Sequence, residues 1–360
     1  MTPPHSTPAT PDPDKLHAFM GQAVRDMGAA FHAVLILLGD RLGLYKAMAD
    51  SQPITPAELA RRTGTAERYV REWLNSNAAS GYVTYDAPSA TYTLPPEQAL
   101  ALAIDSSPAF IPGAFQIVSS CFHDADRLEQ AFRTGAGVGW HEHHHDLFHG
   151  TERFFRPGYL ANLISTWLPA LDGVVAKLER GARVADVGCG LGASTLMMAK
   201  AYPNSEFRGF DYHPGSVELA RDIAAREGLS DRVHFEVASA KDYPGSGYDL
   251  VAFFDCLHDL GDPAGAARHV HATLAPDGTW MVVEPYAEDA PEANHNPVGR
   301  VFYSASTLLC VPASLSQEVG AALGAQAGQQ QITDTIRSGG FRQVRRAAQT
   351  PFNLVFAARP

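Results

Sequence analysis

Val184–Gly192 reads VADVGCGLG, and it opens a stretch whose hydrophobic pattern switches repeatedly between the period of a strand and that of a helix. That alternation constrains the fold more than any other feature. RVADVG, EFRGFDYH, VHFEVAS, GYDLVAFFDCLHDL with its loop, and TWMVVEP read as strands. ASTLMMAKAYP, PGSVELARDIAAREG and PAGAARHVHATLAPDG read as the helices between them, the last closed by a Pro–Asp–Gly turn. The final GGFRQVRRAAQTPFNLVFAARP reads as two more strands joined by a turn. This order predicts an α/β fold, a doubly wound seven-stranded sheet with ligands at the carboxyl ends of its strands.

The motif itself says what such a ligand needs. Gly188, Gly190 and Gly192 allow a tight turn and a close approach of backbone to ligand. Asp211 closes the second strand, 19 residues after Gly192, where an acid accepts the hydroxyls of a ribose. A nucleoside is therefore expected between the first two strands. Asp186, two residues before the first glycine, opposes a pyrophosphate and suits a cation. The spacing is also GxGxG rather than the GxGxxG of dinucleotide sites. S-adenosylmethionine, with a sulfonium, an ammonium, a ribose and no phosphate, fits these residues. The plainer reading of Asp186 is an acid that braces its loop.

Ahead of the sheet the chain has a different character. Residues 1–14, rich in Pro and Thr, read as a disordered leader without the basic and apolar regions of a signal peptide. Residues 15–95 read as a helical and winged-helix-like domain. FHAVLILLGDRLGLYKAMAD suggests a buried helix pair, and its AVLILLG is too short to span a bilayer. Thr55 caps a helix with Pro56 and Glu58, Gly64 breaks it, and Thr65 starts a second helix running to about Ser80. YVTYDAPSATYTL reads as a hairpin, completing the outline of a winged helix. From Thr55 to Pro95 four Arg meet four acids, so the basic footprint of a DNA reader is missing. Dimerisation is the expected use of this domain, giving a homodimer.

Residues 96–180 read as a mostly helical linker and substrate cover. WHEHHHDLFH places five His between His141 and His149. HEHHH satisfies the letters of H-E-x-x-H, but glycines before and after it allow only a short helix and no third ligand follows. No metal is expected there; a polar wall over the substrate is.

VADVGCGLGAST, GFDYH, YDLVAFFDCLHDLGDP and the GGF before the last strand pair resemble class I S-adenosylmethionine-dependent methyltransferases. The winged-helix-like start and the insertion at 285–331 are similar to a group of bacterial methyltransferases that includes mycobacterial members. The resemblance makes 181–360 the cofactor-binding domain. It implies that Gly188 and Gly190 face the methionine part, with Cys189 and Gly192 in the same loop and Asp186 toward the ammonium. Asp211 would hold the ribose and Tyr212 lie along the adenine. Ser239, with Ala240, stands where many relatives have an acid facing the adenine amino group; Asp242 is the alternative. Asp255 and Cys256 would border the reacting methyl. LHDLGDP is similar to the LHDW stretch of small-molecule O-methyltransferases, with Leu260 in place of Trp. That implies His258 as a general base oriented by Glu284, against the plainer reading of a His that packs on the cofactor. Trp140, His141, His144 and Tyr303 are expected at the substrate.

A net charge of −11 argues against a protein that coats nucleic acid. The four scattered cysteines form no CxxC pair, which suits a reducing cytoplasm. A small-molecule methyltransferase is thus the leading expectation, with no nucleic-acid or membrane partner. An S-adenosylmethionine-sensing transcriptional regulator and a macromolecular methyltransferase are the alternatives.

Overall fold

A computed structural model describes residues 10–360, and the chain divides into two compact units between Asp105 and Ser106. Residues 1–9 of the expected leader lie outside the described residues. Its last residues are already helical, because Asp12 accepts the amides of Asp14 and Lys15 and starts a helix at Pro13.

In the first unit that helix runs unbroken from Pro13 to Arg41 over 29 residues. The expected helix pair is therefore one long helix followed by a single tight turn, Lys46–Met48. Gly43, at φ +69°, is the first residue that redirects the chain. Gly39 stays helical because the rings of Trp73 and Tyr45 close on it; a Cβ there would lie 2.6 Å from each. Thr55 caps Pro56–Thr63 by accepting the Glu58 amide, and Gly64 ends it in the left-handed conformation. Glu67–Ala79 follows, then the hairpin of β1 (Thr84–Asp86) and β2 (Thr91–Thr93).

The second unit is built on a seven-stranded sheet. Its strands are β3 (Arg183–Val187), β4 (Glu206–Asp211), β5 (Val233–Val237), β6 (Tyr248–Phe254), β7 (Leu274–Pro285), β8 (Gln343–Gln349) and β9 (Asn353–Arg359). The order is β5-β4-β3-β6-β7-β9-β8, parallel except for β9, which runs antiparallel to both neighbours. Side chains alternate between two cores, as strand geometry requires. Leu250, Ala252 and Phe254 of β6 join Met281 and Val283 on one face. Val251 and Phe253 join Trp280 and Val282 on the other. The Pro276–Asp277–Gly278 turn does not separate helix from strand as expected. β7 starts at Leu274 and absorbs those residues in a register shift opposite Tyr248–Leu250.

Residues 106–180 are mostly helical, and the insertion after β7 supplies one further long helix, Pro297–Leu315, interrupted by a π turn at Ser306–Cys310. Its 19 residues reach a mean hydropathy of 1.2, enough in length and composition to cross a membrane. Here Phe302, Leu309 and Cys310 pack against Leu147 and Ala325 as part of a core.

The first unit turns on Asn77, fully buried. It accepts Tyr45 OH at 2.7 Å, faces His32 Nε2 at 3.4 Å and donates to the Trp73 carbonyl. Asn77→Ala strands the Tyr45 hydroxyl and costs about 1–3 kcal/mol. Adding Tyr45→Phe recovers part of that loss, as measured by denaturant unfolding. Equal instability of the single and double variants would contradict this role.

Candidate functional site

β3 has β4 on one side and β6 on the other, so the crossovers leave it in opposite directions and open a crevice at its carboxyl end. The glycine loop lines that crevice. Gly188 and Cys189 donate to the Phe210 carbonyl, and Gly190 donates to Asp211 at 2.9 Å. Gly188 is at φ +74°, and a Cβ there would meet Cys256 Sγ at 2.7 Å, so no other residue fits. A Cβ on Gly190 would meet nothing within 4 Å, which marks the open side of the loop.

Asp186 lies fully buried under the loop. One oxygen accepts the hydroxyls of Ser194 and Thr195, each at 2.6 Å, fixing the start of helix Ala193–Ala201. The other oxygen is buried with no partner. Burial pushes this carboxyl up to about 6, against the two hydroxyl bonds. Burial likewise raises Asp211, whose oxygens accept the Gly190 and His213 amides. Asp211 adds to the shift of Asp186, and no Lys or Arg is among the groups that act on either acid, so the crevice is matched to a cation rather than a phosphate. Cys189 is buried, and burial with the two nearby acids holds its thiol up, so it acts as packing. Tyr212 stays 44% exposed beside the crevice, with His141 edge-on to its ring at 6.3 Å. Ser239 accepts the Lys241 amide, and its own amide donates to Asp242; Ser239 and Ala240 are half-buried.

Beyond β6 the chain takes a strained step. Asp255 is buried at φ +51°, unusual for a residue with a Cβ. Its carboxylate accepts Tyr159 OH at 3.2 Å and Asn353 Nδ2 at 2.9 Å. Cys256 donates to the Val187 carbonyl beneath Gly188. The turn Leu257–Asp259 then delivers His258, which is 3% exposed. Glu284, near the end of β7, holds that turn with both oxygens: Oε1 accepts the Leu257 amide at 3.0 Å and Oε2 lies 2.5 Å from His258 Nδ1. Burial disfavours the imidazolium, but the carboxylates of Asp259 and Glu284 outweigh it and hold the His258 pKa above its ordinary value.

The histidine tract departs from expectation. Trp140–Glu142 is a 3-10 turn and the regular helix starts only at Asp146, so HEHHH lies ahead of the helix rather than on it. That helix then runs through Gly150 to Asn162, longer than expected. His144 stacks on His123 at 4.1 Å and lies tilted against His145 at 4.0 Å, in a partly exposed group. Trp140 packs edge-on to Phe148, whose ring stacks on His213. Tyr303 is half-buried on Pro297–Ala305. The tract's buried imidazole is His143, which sequence reasoning did not single out. Its Nδ1 lies 2.8 Å from Asp124 and its Nε2 is buried without a partner. The signal for it was Asp124, an acid at the junction of helices Pro112–His123 and Ala125–Thr134, 19 residues upstream, which no local pattern connects to it.

Residues 30–103 match the family model of a Rv2258c-like winged helix-turn-helix domain, and residues 178–337 match that of a methyltransferase domain. Over 100 residues the chain is 34% identical to ajmaline N-methyltransferase of Rauvolfia serpentina, covering 27% of this chain. The match spans only 34% of that relative's length. Human N-acetylserotonin methyltransferase, solved with S-adenosylmethionine, superposes with a TM-score of 0.67 at 17% identity, covering 98% of this chain and 99% of that one. The O-methyltransferase NcsB1 of neocarzinostatin biosynthesis, solved with S-adenosylmethionine and 2-hydroxy-5-methyl naphthoic acid, gives 0.59 at 17% identity, covering 91% and 95%. At these identities the structures establish a shared fold. By these matches the chain carries a Rv2258c-like winged helix-turn-helix domain ahead of a methyltransferase domain.

Proposed function

We propose that this protein transfers the methyl group of S-adenosylmethionine to a heteroatom of a small organic acceptor, with His258 as general base. The observation that carries the reading is the Glu284–His258 pair at the carboxyl edge of the sheet, with His258 two residues after the Cys256 that packs on the glycine loop. The cofactor supplies an electrophilic methyl carbon on a sulfonium.

Asp186 and Asp211 fit such a group: one has a spare buried oxygen for an ammonium, the other two oxygens at a strand end for a ribose. Gly188 and Gly190 lie along the methionine part, with Cys189 and Gly192 keeping the loop's shape. Tyr212 covers the adenine, and Ser239 with Ala240 borders its amino group. Cys256 lies nearest the methyl, and Asp255 shapes the turn that carries it. Glu284 fixes His258 through Nδ1, which leaves Nε2, 3.2 Å from Asp259 Oδ1, as the nitrogen that would receive the acceptor's proton. Much of the rate then comes from holding the two reactants in line. Trp140, His141, His144 and Tyr303 remain candidates for the acceptor wall.

Two observations bear on partners. In the winged-helix module Arg61 and Arg62 pair with Glu58, Arg68 with Glu72 and Arg71 with Glu67. Its cations are thus engaged within the module, which weighs against the regulator reading. Along Pro13–Arg41, Leu16, Met20, Val24, Met27, Phe31 and Val34 are each at least half exposed, at spacings of three and four. An apolar stripe of this length supports a homodimer through this helix. Light scattering at micromolar concentration should give twice the chain mass; a monomer mass contradicts it.

S-adenosylhomocysteine at 100 times its dissociation constant should stabilise the protein by about 2.7 kcal/mol. Asp211→Ala should remove most of this. Stabilisation by NADH instead would overturn the assignment. Asp186, facing Asp211 and two hydroxyls, titrates near 6 without ligand, and an ammonium favours its ionised form. Affinity should therefore be full above that pH and fall as pH drops through it, measured by calorimetry. Asp186→Asn should flatten the profile; an unchanged profile would remove Asp186 from the role. His258→Ala should lower turnover by about a hundredfold or more while leaving the cofactor-induced stabilisation intact. Near-normal turnover would reject the base.

A further inference from the structure

The base has two side chains beside it that methyl transfer does not use. Asp259 follows it in the same turn, and Cys310 reaches it from the π turn of the insertion helix. A ring nitrogen of His258, a carboxylate oxygen of Asp259 and Sγ of Cys310 all lie within 4.8 Å of one another. Glu284 occupies Nδ1, so the nitrogen turned to the cluster is Nε2.

Nε2 stands 3.2 Å from Asp259 Oδ1. That oxygen is buried, yet it makes no hydrogen bond. The contact is thus an ion-pair approach without the alignment of a hydrogen bond, between two groups that each donate a lone pair to a metal once the imidazole is neutral. Two such donors about 2.0–2.1 Å from a tetrahedral ion stand about 3.3 Å apart. The third atom is a thiol, 7% exposed as a residue, on a different element. Nitrogen, oxygen and sulfur in this arrangement are the ligand set of zinc and its neighbours rather than of magnesium or calcium.

The imidazole is also prepared in the way metal ligands are, with its other nitrogen fixed by a carboxylate. His143, near enough to act on the Asp259 carboxyl, repeats the arrangement with Asp124, and its Nε2 is likewise buried without a partner.

We propose that His258 Nε2, Asp259 Oδ1 and Cys310 Sγ form a binding site for a thiophilic divalent cation of the zinc class. Binding replaces the thiol proton by the metal–sulfur bond and releases that proton to solvent. The site has a functional consequence that rests on the base assignment above: the lone pair of Nε2 cannot hold a metal and receive a proton together. Zinc therefore switches methyl transfer off. This departs from the expectation that the chain holds no metal, because Cys310 is brought from a distant part of the sequence to the adjacent His258 and Asp259, outside the histidine tract.

The test uses the full chain, stripped with a chelator and titrated with Co²⁺ under reducing conditions. The expected result is one Co²⁺ per chain, with a thiolate-to-cobalt charge-transfer band and the absorption of a four-coordinate ion, both erased by Zn²⁺. Cys310→Ser should abolish the charge-transfer band, and Asp259→Asn should weaken binding by about tenfold or more. Stabilisation by S-adenosylhomocysteine in each variant verifies that the fold persists. No band in the wild type, or a band that survives Cys310→Ser, overturns the site. Zn²⁺ should also inhibit methylation of a hydroxynaphthoic acid probe by the wild type and not by Cys310→Ser. A cobalt band with undiminished turnover in Zn²⁺ would overturn the switch and the base assignment while leaving the site standing.

Discussion

The reversal of strand order at β3 is the constraint on which the rest of the second unit depends. Because β4 and β6 flank β3, the loops after β3 and β6 diverge, and the crevice between them is a consequence of topology rather than of any one side chain. Two acids then stabilise its rims. Asp186 ties the glycine loop to the helix that follows by accepting Ser194 and Thr195. Glu284 reaches from β7 to the turn after β6 and holds both its backbone and its imidazole. Each rim is fixed by a carboxylate that uses the rigidity of a central strand, which is how a site gains precision from a sheet.

That precision has an electrostatic cost. Burial raises the carboxyls of Asp186, Asp211, Asp255 and Asp259, and the groups acting on them include each other. A cluster of buried acids without a permanent cation disfavours the folded state at neutral pH. The same cluster is complementary to a sulfonium and an ammonium, so the destabilisation resides where a cationic ligand can relieve it. Perturbed acids gathered at one sheet edge are therefore a stronger pointer to function than the glycine spacing alone.

Much of this was legible in the chain. The alternation from Arg183 onward marks every strand of the large sheet, since strand and helix periods differ and the central strands β6 and β7 are buried on both faces over most of their length. VADVGCGLG and Asp211 fall at consecutive strand ends, so their adjacency follows from topology once the strands are assigned. His258 and Glu284 likewise sit at the ends of neighbouring strands, and their contact follows from the pairing of β6 with β7. What escaped was decided by tertiary packing. Gly39 looks like a helix breaker until Trp73 and Tyr45 close around it. The Pro276–Asp277–Gly278 turn looks like a boundary until the β6–β7 register absorbs it. Asp255 adopts a left-handed backbone that nothing in its own sequence requires. His143 was one of five similar residues; only the approach of Asp124 distinguishes it.

The account stands on one spatial relation, that His258 faces the methyl donor across the acceptor. A crystal structure with S-adenosylhomocysteine measures it directly. The ribose should lie on Asp211, the amino group by Asp186, and the sulfur beside Cys256 with His258 Nε2 across a gap the size of one acceptor atom. A cofactor bound elsewhere, or a sulfur from which His258 is screened by other side chains, would contradict the account.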